Sequence, residues 1–321
     1  MPYEDLPTTP TAEELLDKAF SRAARTGRSK GGTEAQLSML QTAGNVLSDN
    51  LTHIAEQWPD FDLLHPFHVE IAGTLVDVDE IRQSLSEVTW AGRKTAELLS
   101  EYRSKIRKAS TEDARKHRKQ AFARMASVVE EVSDDLLFLG DARNELRQLP
   151  AMDPTEPTIV VAGYPNVGKT TFVNAVTRAR NKTASYPFTT TGIMIGHLER
   201  DHLRYQLIDT PGLLDRPEAD RNEIETQAVS AITHLADCLL VFVDPSERCG
   251  YPLPDQLALR DQLEATFDDI PVLTIGTKAD ESTAVDADYH MSVETGENVD
   301  TVIDAAVDAI GYEPELPYDL G

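Results

Sequence analysis

The chain has 321 residues, of which 30 are Lys or Arg and 55 are Asp or Glu, so its formal net charge is −25. One interpretation of this balance is an acidic protein that avoids nucleic acid. The acidic residues occur in both halves, so we prefer a second interpretation, the solvated surface of a halophilic protein whose charges are screened by salt. The two cysteines and the absence of a long apolar run predict a soluble, cytoplasmic protein that neither uses disulfides nor enters a membrane.

Residues 1–150 carry apolar side chains at the three- and four-residue spacing of amphipathic helices. The pattern predicts helices over residues 12–24, 33–57, 79–108 and 112–149. Thr11 and Glu14 form the expected capping box of the first helix, and Pro59 and Pro66 bracket a predicted loop. The short breaks favour an all-α helical bundle, and three prolines between residues 149 and 157 place the domain boundary there.

From residue 158 onward, short apolar runs alternate with helical patterns. The predicted strands cover residues 158–162, 193–198, 203–208, 238–243, 272–275 and 289–292. The predicted helices cover residues 170–177, 222–234, 254–267 and 299–310. This alternation predicts an α/β domain over residues 158–321, with a mostly parallel sheet and helices on both faces, preceded by the helical bundle.

A phosphate-binding loop of the form G-x-x-x-x-G-K-[ST] runs from Gly163 to Thr170, between a predicted strand and a predicted helix. Its backbone N–H groups and the helix N-terminus are suited to bind phosphate. Lys169 can reach the β- and γ-phosphates, and the Thr170 hydroxyl can bind Mg²⁺. The residues predicted to contact nucleotide here are Gly163, Asn166, Val167, Gly168, Lys169, Thr170 and Thr171.

Two further segments have the features of nucleotide-sensing switch loops. Asp209-Thr210-Pro211-Gly212 follows a predicted strand, where Asp209 can hold a water on Mg²⁺ and the Gly212 N–H can approach a γ-phosphate. Residues 185–191 contain three threonines, and we assign Thr190 as a Mg²⁺ ligand, with Thr189 as the alternative. The predicted metal ligands are Thr170, Thr190 and Asp209, and the predicted catalytic residues are Lys169, Thr190, Gly212 and Asn166.

A base-binding segment follows the fifth predicted strand. The Asp280 carboxylate can accept both hydrogen bonds of a guanine edge, which adenine cannot donate, and the Lys278 stem can cover one face of the base. Thr277 stands where such motifs usually have Asn, which weakens the connection to the phosphate loop. Ser292 and Val293 are predicted to offer backbone N–H groups to the guanine O6, and the short spacing predicts little or no helix after Asp280.

In this order, the motifs resemble the nucleolar GTP-binding protein (Nog) family of Obg-like GTPases, and in particular an archaeal, halophile-like member. The matching stretches lie at residues 66–70, 149–154, 186–190, 209–217, 221–228 and 244–251, the last reading D-P-S-E-R-C-G-Y. The resemblance implies a P-loop GTPase that uses Mg²⁺ to hydrolyse GTP to GDP. It also implies a role in large-ribosomal-subunit assembly, with rRNA and ribosomal proteins as partners and no role for DNA.

Hydrolysis should be slow without help, because Leu213 occupies the position where Ras-type proteins have a water-positioning Gln. Arg216 could act as an arginine finger in the same chain, or it could form a surface salt bridge. The resemblance also implies that Asn166 can help to hold a K⁺ ion against the phosphates. The alternative is that Asn166 only caps the loop.

A basic segment stands out in this acidic chain. Residues 93–124 contain eleven basic and four acidic side chains, for a net charge of +7, and Arg22, Arg25, Arg28 and Lys30 form a second cluster. These clusters predict contacts with the phosphate backbone of rRNA. The competing hypothesis is a nucleotide-gated regulatory module that binds a protein partner without RNA. A third possibility, an ATPase, is disfavoured by Asp280.

Overall fold

The structure is a computed structural model, and it describes residues 2–149, 152–177, 182–184, 193–200 and 202–312. The chain divides into two compact units. The first unit comprises Met1–Leu64 and Leu75–Gln148, and the second comprises His65–Thr74 and Leu149–Gly321. A short piece of the N-terminal half, residues 65–74, therefore clusters with the C-terminal half.

Six helices precede the sheet, namely α1 (Ala12–Gly27), α2 (Gly32–Glu56), α3 (Pro66–Gly73), α4 (Val78–Arg107), α5 (Thr111–Glu131) and α6 (Ser133–Leu146). The predicted capping box at the start of α1 is confirmed, because Thr11 and Glu14 exchange backbone-to-side-chain hydrogen bonds of 2.9 and 3.2 Å. The expectation of one helix over residues 112–149 is wrong. Val132 leaves the helical region, and the run Ser133-Asp134-Asp135 that follows favours a helix start over a helix interior.

In the first unit, α2 packs against α1, α4 and α5, and α4 packs against α6. The side chains of Leu40, Leu47 and Leu51 are fully buried along α2. Gly44 lets α4 approach closely, because a Cβ atom at that position would lie 3.0 Å from the Leu99 side chain. The apolar periodicity in the sequence therefore corresponds to a buried helical core.

Helix α3 was not predicted, because its eight residues fall at the end of a proline-bracketed loop. Pro66 occupies the first turn, where the missing N–H has no cost, and His65 accepts a hydrogen bond from the Phe67 N–H. The helix belongs to the second unit, where Phe67 and Ile71 are buried in the same apolar cluster as Ala228, Val229 and Ile232.

The second unit contains the strands β1 (Thr158–Ala162), β2 (Lys182–Ala184), β3 (Ile193–Arg200), β4 (Leu203–Asp209), β5 (Cys238–Val243), β6 (Val272–Gly276) and β7 (Tyr289–His290). They form one sheet in the order β2-β3-β4-β1-β5-β6-β7. Strands β4, β1, β5, β6 and β7 are parallel, whereas β2–β3 and β3–β4 are antiparallel. The predicted mostly parallel sheet is confirmed, and β2 is an additional strand that the sequence pattern did not indicate.

Helices cover both faces of this sheet. They are α7 (Lys169–Val176), α8 (Glu223–Thr233), α9 (Leu253–Thr266) and α10 (Val299–Ile310). One apolar cluster joins Val160, Ile208 and Leu239 to α3, α8 and α9. The other joins Val161, Leu240 and Phe242 to α7 and α10. Alternate residues of the central strands thus point into two cores, as expected for a doubly covered parallel sheet.

The described residues contain no helix that is long and apolar enough to span a membrane. Residues 277–288 contain no helix, as the short spacing after Asp280 predicted. Both cysteines, Cys238 and Cys249, are buried and free.

The placement of α3 leads to a stability prediction. Ile71→Ala should lower the free energy of unfolding of the second unit by about 2–5 kcal/mol, because Ile71 is only 3% exposed in the shared core. Leu63→Ala is the matched control, since Leu63 is 84% exposed and its loss should change stability by less than about 0.5 kcal/mol. Denaturant unfolding of the full chain measures both effects. Equal stabilities for the two variants would contradict the packing of α3 in this core.

Candidate functional site

The phosphate loop connects β1 to α7 through backbone conformations that few side chains allow. Gly163 has a φ of 125°, and any Cβ atom there would collide with the carbonyl oxygen of Phe242 in β5. Gly168 has a φ of 108°, and Asn166, with a φ of 64°, is one of the few side-chain types that tolerate this region. The Gly163 N–H donates to the Leu214 carbonyl at 3.0 Å, which ties the loop to the segment after β4.

Lys169 lies inside this loop and is 5% exposed. Its ammonium group donates to the carbonyl oxygens of Gly163 at 2.6 Å and Tyr164 at 2.9 Å. Burial lowers the pKa of Lys169, while the negative charges of Asp215 and Asp209 oppose that shift. A phosphate group in the loop would supply the stronger anionic partner that this buried ammonium lacks.

Thr170 and Asp209 meet at the ends of α7 and β4. The Thr170 hydroxyl donates to Asp209 Oδ2 at 2.5 Å, and the Asp209 side chain is fully buried. Burial raises the pKa of Asp209, against the effects of the Thr170 hydrogen bond and the Lys169 charge. The second carboxylate oxygen, Oδ1, is buried without a hydrogen-bond partner among the described residues.

This pair of oxygen ligands fits a Mg²⁺ ion. Mg²⁺ is commonly held by one or two protein oxygens together with water and phosphate oxygens, and the unpaired Asp209 oxygen is available for that role. No cluster of three His, Cys, Asp or Glu side chains that could hold a metal occurs in the part of the chain that the structure describes. The third predicted ligand, Thr190, lies outside the described residues, as does the alternative Thr189.

Gly212 lies just beyond Asp209, with a φ of 81°. Its N–H, predicted to contact a γ-phosphate, donates to Asp215 Oδ2 at 2.7 Å. A carboxylate therefore occupies the hydrogen-bonding position that a phosphate oxygen would need. Binding of a γ-phosphate at this N–H would require Asp215 to move away.

Leu213 and Arg216 are both held by contacts within the protein. Leu213 is fully buried in the core shared by β1, β4 and α8, which agrees with the prediction that it cannot position water. Arg216 donates to the Gly212 carbonyl at 2.8 Å and to Glu225 Oε1 at 2.5 Å. Of the two roles considered for Arg216, the structure shows the salt bridge.

A cavity of about 250 Å³ lies beside the phosphate loop. It brings together residues from three separate motifs, and two further charged residues, Arg248 and Glu281, line it as well. The lining comprises Val167, Gly168, Thr171, Arg248, Thr277, Lys278, Asp280, Glu281, Met291, Ser292, Val293 and Glu294. Every residue predicted for base binding lies in this lining.

The individual contacts refine the predicted base site. Asp280 is exposed and makes no hydrogen bond or ion pair with another described residue, so its carboxylate is free to accept from a ligand. The Ser292 N–H already donates to the Glu297 carbonyl at 3.0 Å, which removes one of the predicted donors to guanine O6. Thr277 directs its hydroxyl to the Val243 carbonyl at 3.2 Å and is 3% exposed.

Arg248 was missed by the sequence analysis. It lies in the D-P-S-E-R-C-G-Y segment, far from the other motifs in sequence, and pairs with Glu281 next to Asp280. In the sequence, that segment is recognisable only as a stretch that resembles the family. The hint available in the sequence was an Arg on the loop after β5, at the sheet edge where the other nucleotide motifs also lie.

Two family models match this chain. The first, described as the NOG1 N-terminal helical domain, covers residues 3–153. The second, described as a 50S ribosome-binding GTPase, covers residues 158–278. Together they span both the helical part and the part that contains the phosphate loop.

Similar proteins come from archaea and eukaryotes. The chain is 36% identical over 276 residues to an uncharacterized protein of Methanocaldococcus jannaschii, covering 83% of this chain and 77% of that protein. It is 32% identical over 287 residues to nucleolar GTP-binding protein 1 of Drosophila melanogaster, covering 87% of this chain but only 44% of that protein. A solved structure of a nucleolar GTP-binding protein 1 from Plasmodium falciparum is 30% identical, with a TM-score of 0.47 over 51% of this chain and 90% of that one.

The lining of the cavity predicts the base preference. The unmodified protein should bind GTP more tightly than ATP, and Asp280→Asn should reduce that ratio by about 100-fold or more, because the amide cannot accept both guanine hydrogen bonds. Asp286→Asn, an exposed carboxylate of the same loop outside the cavity, is the control. Competition against a fluorescent guanine nucleotide measures both ratios. Equal affinities for GTP and ATP in the unmodified protein would refute the guanine assignment.

Proposed function

Because this chain belongs to the nucleolar GTP-binding protein (Nog) family of GTPases, we propose that it is a Mg²⁺-dependent GTP switch in large-ribosomal-subunit assembly, with its helical unit bound to rRNA. The observation that carries the proposal is the combination, in one chain, of a GTPase site with a basic surface on an otherwise acidic protein. The nucleolar relatives extend well beyond the part that this chain matches, so the ribosomal role is inferred from the family and this surface.

The proposed nucleotide site uses groups that already converge at one sheet edge. Thr170 and Asp209 would hold Mg²⁺, whose chemistry is to neutralise charge on the β- and γ-phosphates. Lys169 would exchange its two carbonyl partners for phosphate oxygens, and the Gly212 N–H would exchange Asp215 for the γ-phosphate. Asp280 would accept the guanine edge, with Thr190 completing the metal site.

We infer that a group other than Leu213 or Arg216 accelerates hydrolysis, since Leu213 is buried and Arg216 is paired with Glu225. We assign this role to a K⁺ ion held with the help of Asn166. The Asn166 side chain is exposed and makes no hydrogen bond with another described residue, which supports its availability to a cation over the capping alternative. A cation there would stabilise negative charge that develops between the β- and γ-phosphates.

This assignment predicts a specific salt effect. GTP hydrolysis should be about tenfold or more faster in KCl than in NaCl at equal ionic strength, and Asn166→Ala should remove the difference. Steady-state phosphate release in both salts is the measurement, with nucleotide affinity measured alongside. Equal rates in the two salts, for a protein shown to be folded in each, would leave Asn166 as a structural residue.

The proposed RNA surface lies at one end of the helical unit. Thr33 at the start of α2 and Thr111 at the start of α5 approach to 3.4 Å, so the α1–α2 and α4–α5 connections lie side by side. The rings of Phe20 and Phe122 stack at 4.7 Å, which joins the basic end of α1 to α5. The two basic clusters of the sequence are therefore neighbours.

Most of the basic side chains there face solvent. Lys94, Lys105 and Arg124 pair with nearby glutamates, whereas Arg115, Lys116 and Lys119 are exposed and form no ion pair with another described residue. Arg118 donates to Gln36 at 2.8 Å and lies over the Phe122 ring. Unpaired cations on an acidic protein favour a polyanionic partner, and an extended helical surface suits backbone contacts to folded RNA.

Neutralising Arg115, Lys116, Arg118 and Lys119 together should weaken binding to large-subunit rRNA and reduce the slope of log K against log salt by up to about four. The matched control removes the same charge elsewhere, at Lys18, Arg82, Arg147 and Arg260. Filter binding across a salt series measures both variants, and melting curves establish folding. Unchanged affinity in the first variant would favour a protein partner over RNA, and an equal loss in the control would show that this surface does not direct the binding.

A further inference from the structure

The loop between β5 and α9, residues 244–252, contacts both halves of the nucleotide site. We define it as the bridging loop. It contains the D-P-S-E-R-C-G-Y signature, and the proposed function gives it no role. Its outward contacts reach the phosphate loop on one side and the base segment on the other, so it is placed to set their separation.

Asp244 is the internal anchor of the bridging loop. Its fully buried carboxylate accepts hydrogen bonds from the Ser246 N–H and hydroxyl at 2.9 and 2.6 Å, and from the Cys249 N–H at 2.8 Å. The Gln256 side chain is 2% exposed. Its Oε1 accepts a hydrogen bond from the Asp244 N–H at 2.8 Å, and its Nε2 donates to the Asp244 and Tyr251 carbonyls. These contacts give the loop one defined shape.

Two ion pairs attach the base segment to the bridging loop. Lys278 Nζ donates to Asp244 Oδ2 at 2.6 Å, and Arg248 pairs with Glu281 at the cavity. Burial alone would raise the pKa of Asp244, but the hydrogen bonds from Lys278, Ser246 and Cys249 outweigh it and hold the pKa below its ordinary value. Asp244 is therefore ionised at neutral pH and keeps a charged partner for Lys278.

An aromatic contact attaches the phosphate loop. Tyr164, the second residue of that loop, lies against Tyr251 of the bridging loop, with ring centroids 4.3 Å apart and an interplanar angle of 30°. The backbone carbonyl of Tyr164 accepts a hydrogen bond from the Lys169 ammonium. Tyr251 thus supports the backbone that holds the phosphate-binding lysine.

Thr277 explains why such a bridge is needed. An Asn at this position could connect the base segment to the phosphate loop directly, whereas the Thr277 hydroxyl and N–H both donate to the Val243 carbonyl, its one hydrogen-bond partner among the described residues. We propose that the bridging loop replaces this missing connection, so that Tyr251 and Arg248 are positioning residues that hold the base segment against the phosphate loop. The inference rests on the proposed guanine-nucleotide site and identifies which residues determine its retention of nucleotide.

The test measures dissociation of a fluorescent GDP analogue from the full chain by stopped flow. Tyr251→Leu and Arg248→Ala should each raise the dissociation rate by about three- to tenfold, and Tyr251→Phe, which keeps the ring contact, should leave it unchanged. Arg260→Ala is the control, since Arg260 pairs with Asp261 and Glu264 on α9.

Rescue separates positioning from general stability. Adding Thr277→Asn to the Tyr251→Leu chain should bring the dissociation rate of the GDP analogue most of the way back, because Asn would connect the base segment to the phosphate loop directly. Arg248 is 71% exposed, so its variant keeps the test valid if Tyr251→Leu proves unstable. Unchanged dissociation in both variants, or no rescue by Asn, would overturn the inference. Failure of the unmodified chain to bind GDP would instead refute the proposed function.

Discussion

The close approach of the phosphate loop to β5 is the constraint on which the nucleotide site depends. Gly163 lies against the Phe242 carbonyl, where no other residue fits, and this contact fixes the start of the loop at the centre of the sheet. Because β1 lies between β4 and β5, the loop is flanked by Asp209 on one side and by the bridging loop on the other. The sheet order thereby brings the residues predicted to bind metal, phosphate and base to the carboxyl ends of the parallel strands.

The groups predicted to bind phosphate have hydrogen-bond partners within the protein. The Lys169 ammonium donates to the carbonyl oxygens of Gly163 and Tyr164, and the Gly212 N–H donates to the Asp215 carboxylate. Each of these contacts involves a group that we propose to bind a nucleoside triphosphate, so we expect nucleotide binding to be coupled to local rearrangement. The segment from Gly212 to Glu225 then leads directly into α8, on which α3 packs.

Charge is distributed unevenly over the chain. The chain is strongly acidic overall, yet exposed Arg and Lys side chains gather where the α1–α2 and α4–α5 connections meet. Stability does not require this arrangement, since surface pairs contribute little and like charges repel. We propose that a polyanionic partner is the reason why Arg115, Lys116 and Lys119 in this cluster form no ion pair with another described residue.

The features that could be predicted from sequence are those encoded locally. The phosphate loop, the parallel strands and the capping box at Thr11 each depend on neighbouring residues, and the structure places the elements where the patterns indicated. Helix α3 was missed because eight residues carry little periodicity and its partner α8 lies far along the chain. The Arg248–Glu281 and Tyr164–Tyr251 contacts were also missed, because each joins two segments that are far apart in sequence and that only the fold brings together.

Co-sedimentation of the chain with large ribosomal subunit particles tests the proposed nucleotide switch. We expect the protein to sediment with the particles when a non-hydrolysable GTP analogue and Mg²⁺ are present, and much less of it to do so with GDP. Absence from the particle fraction in every nucleotide state, for a protein shown to bind GTP, would contradict it.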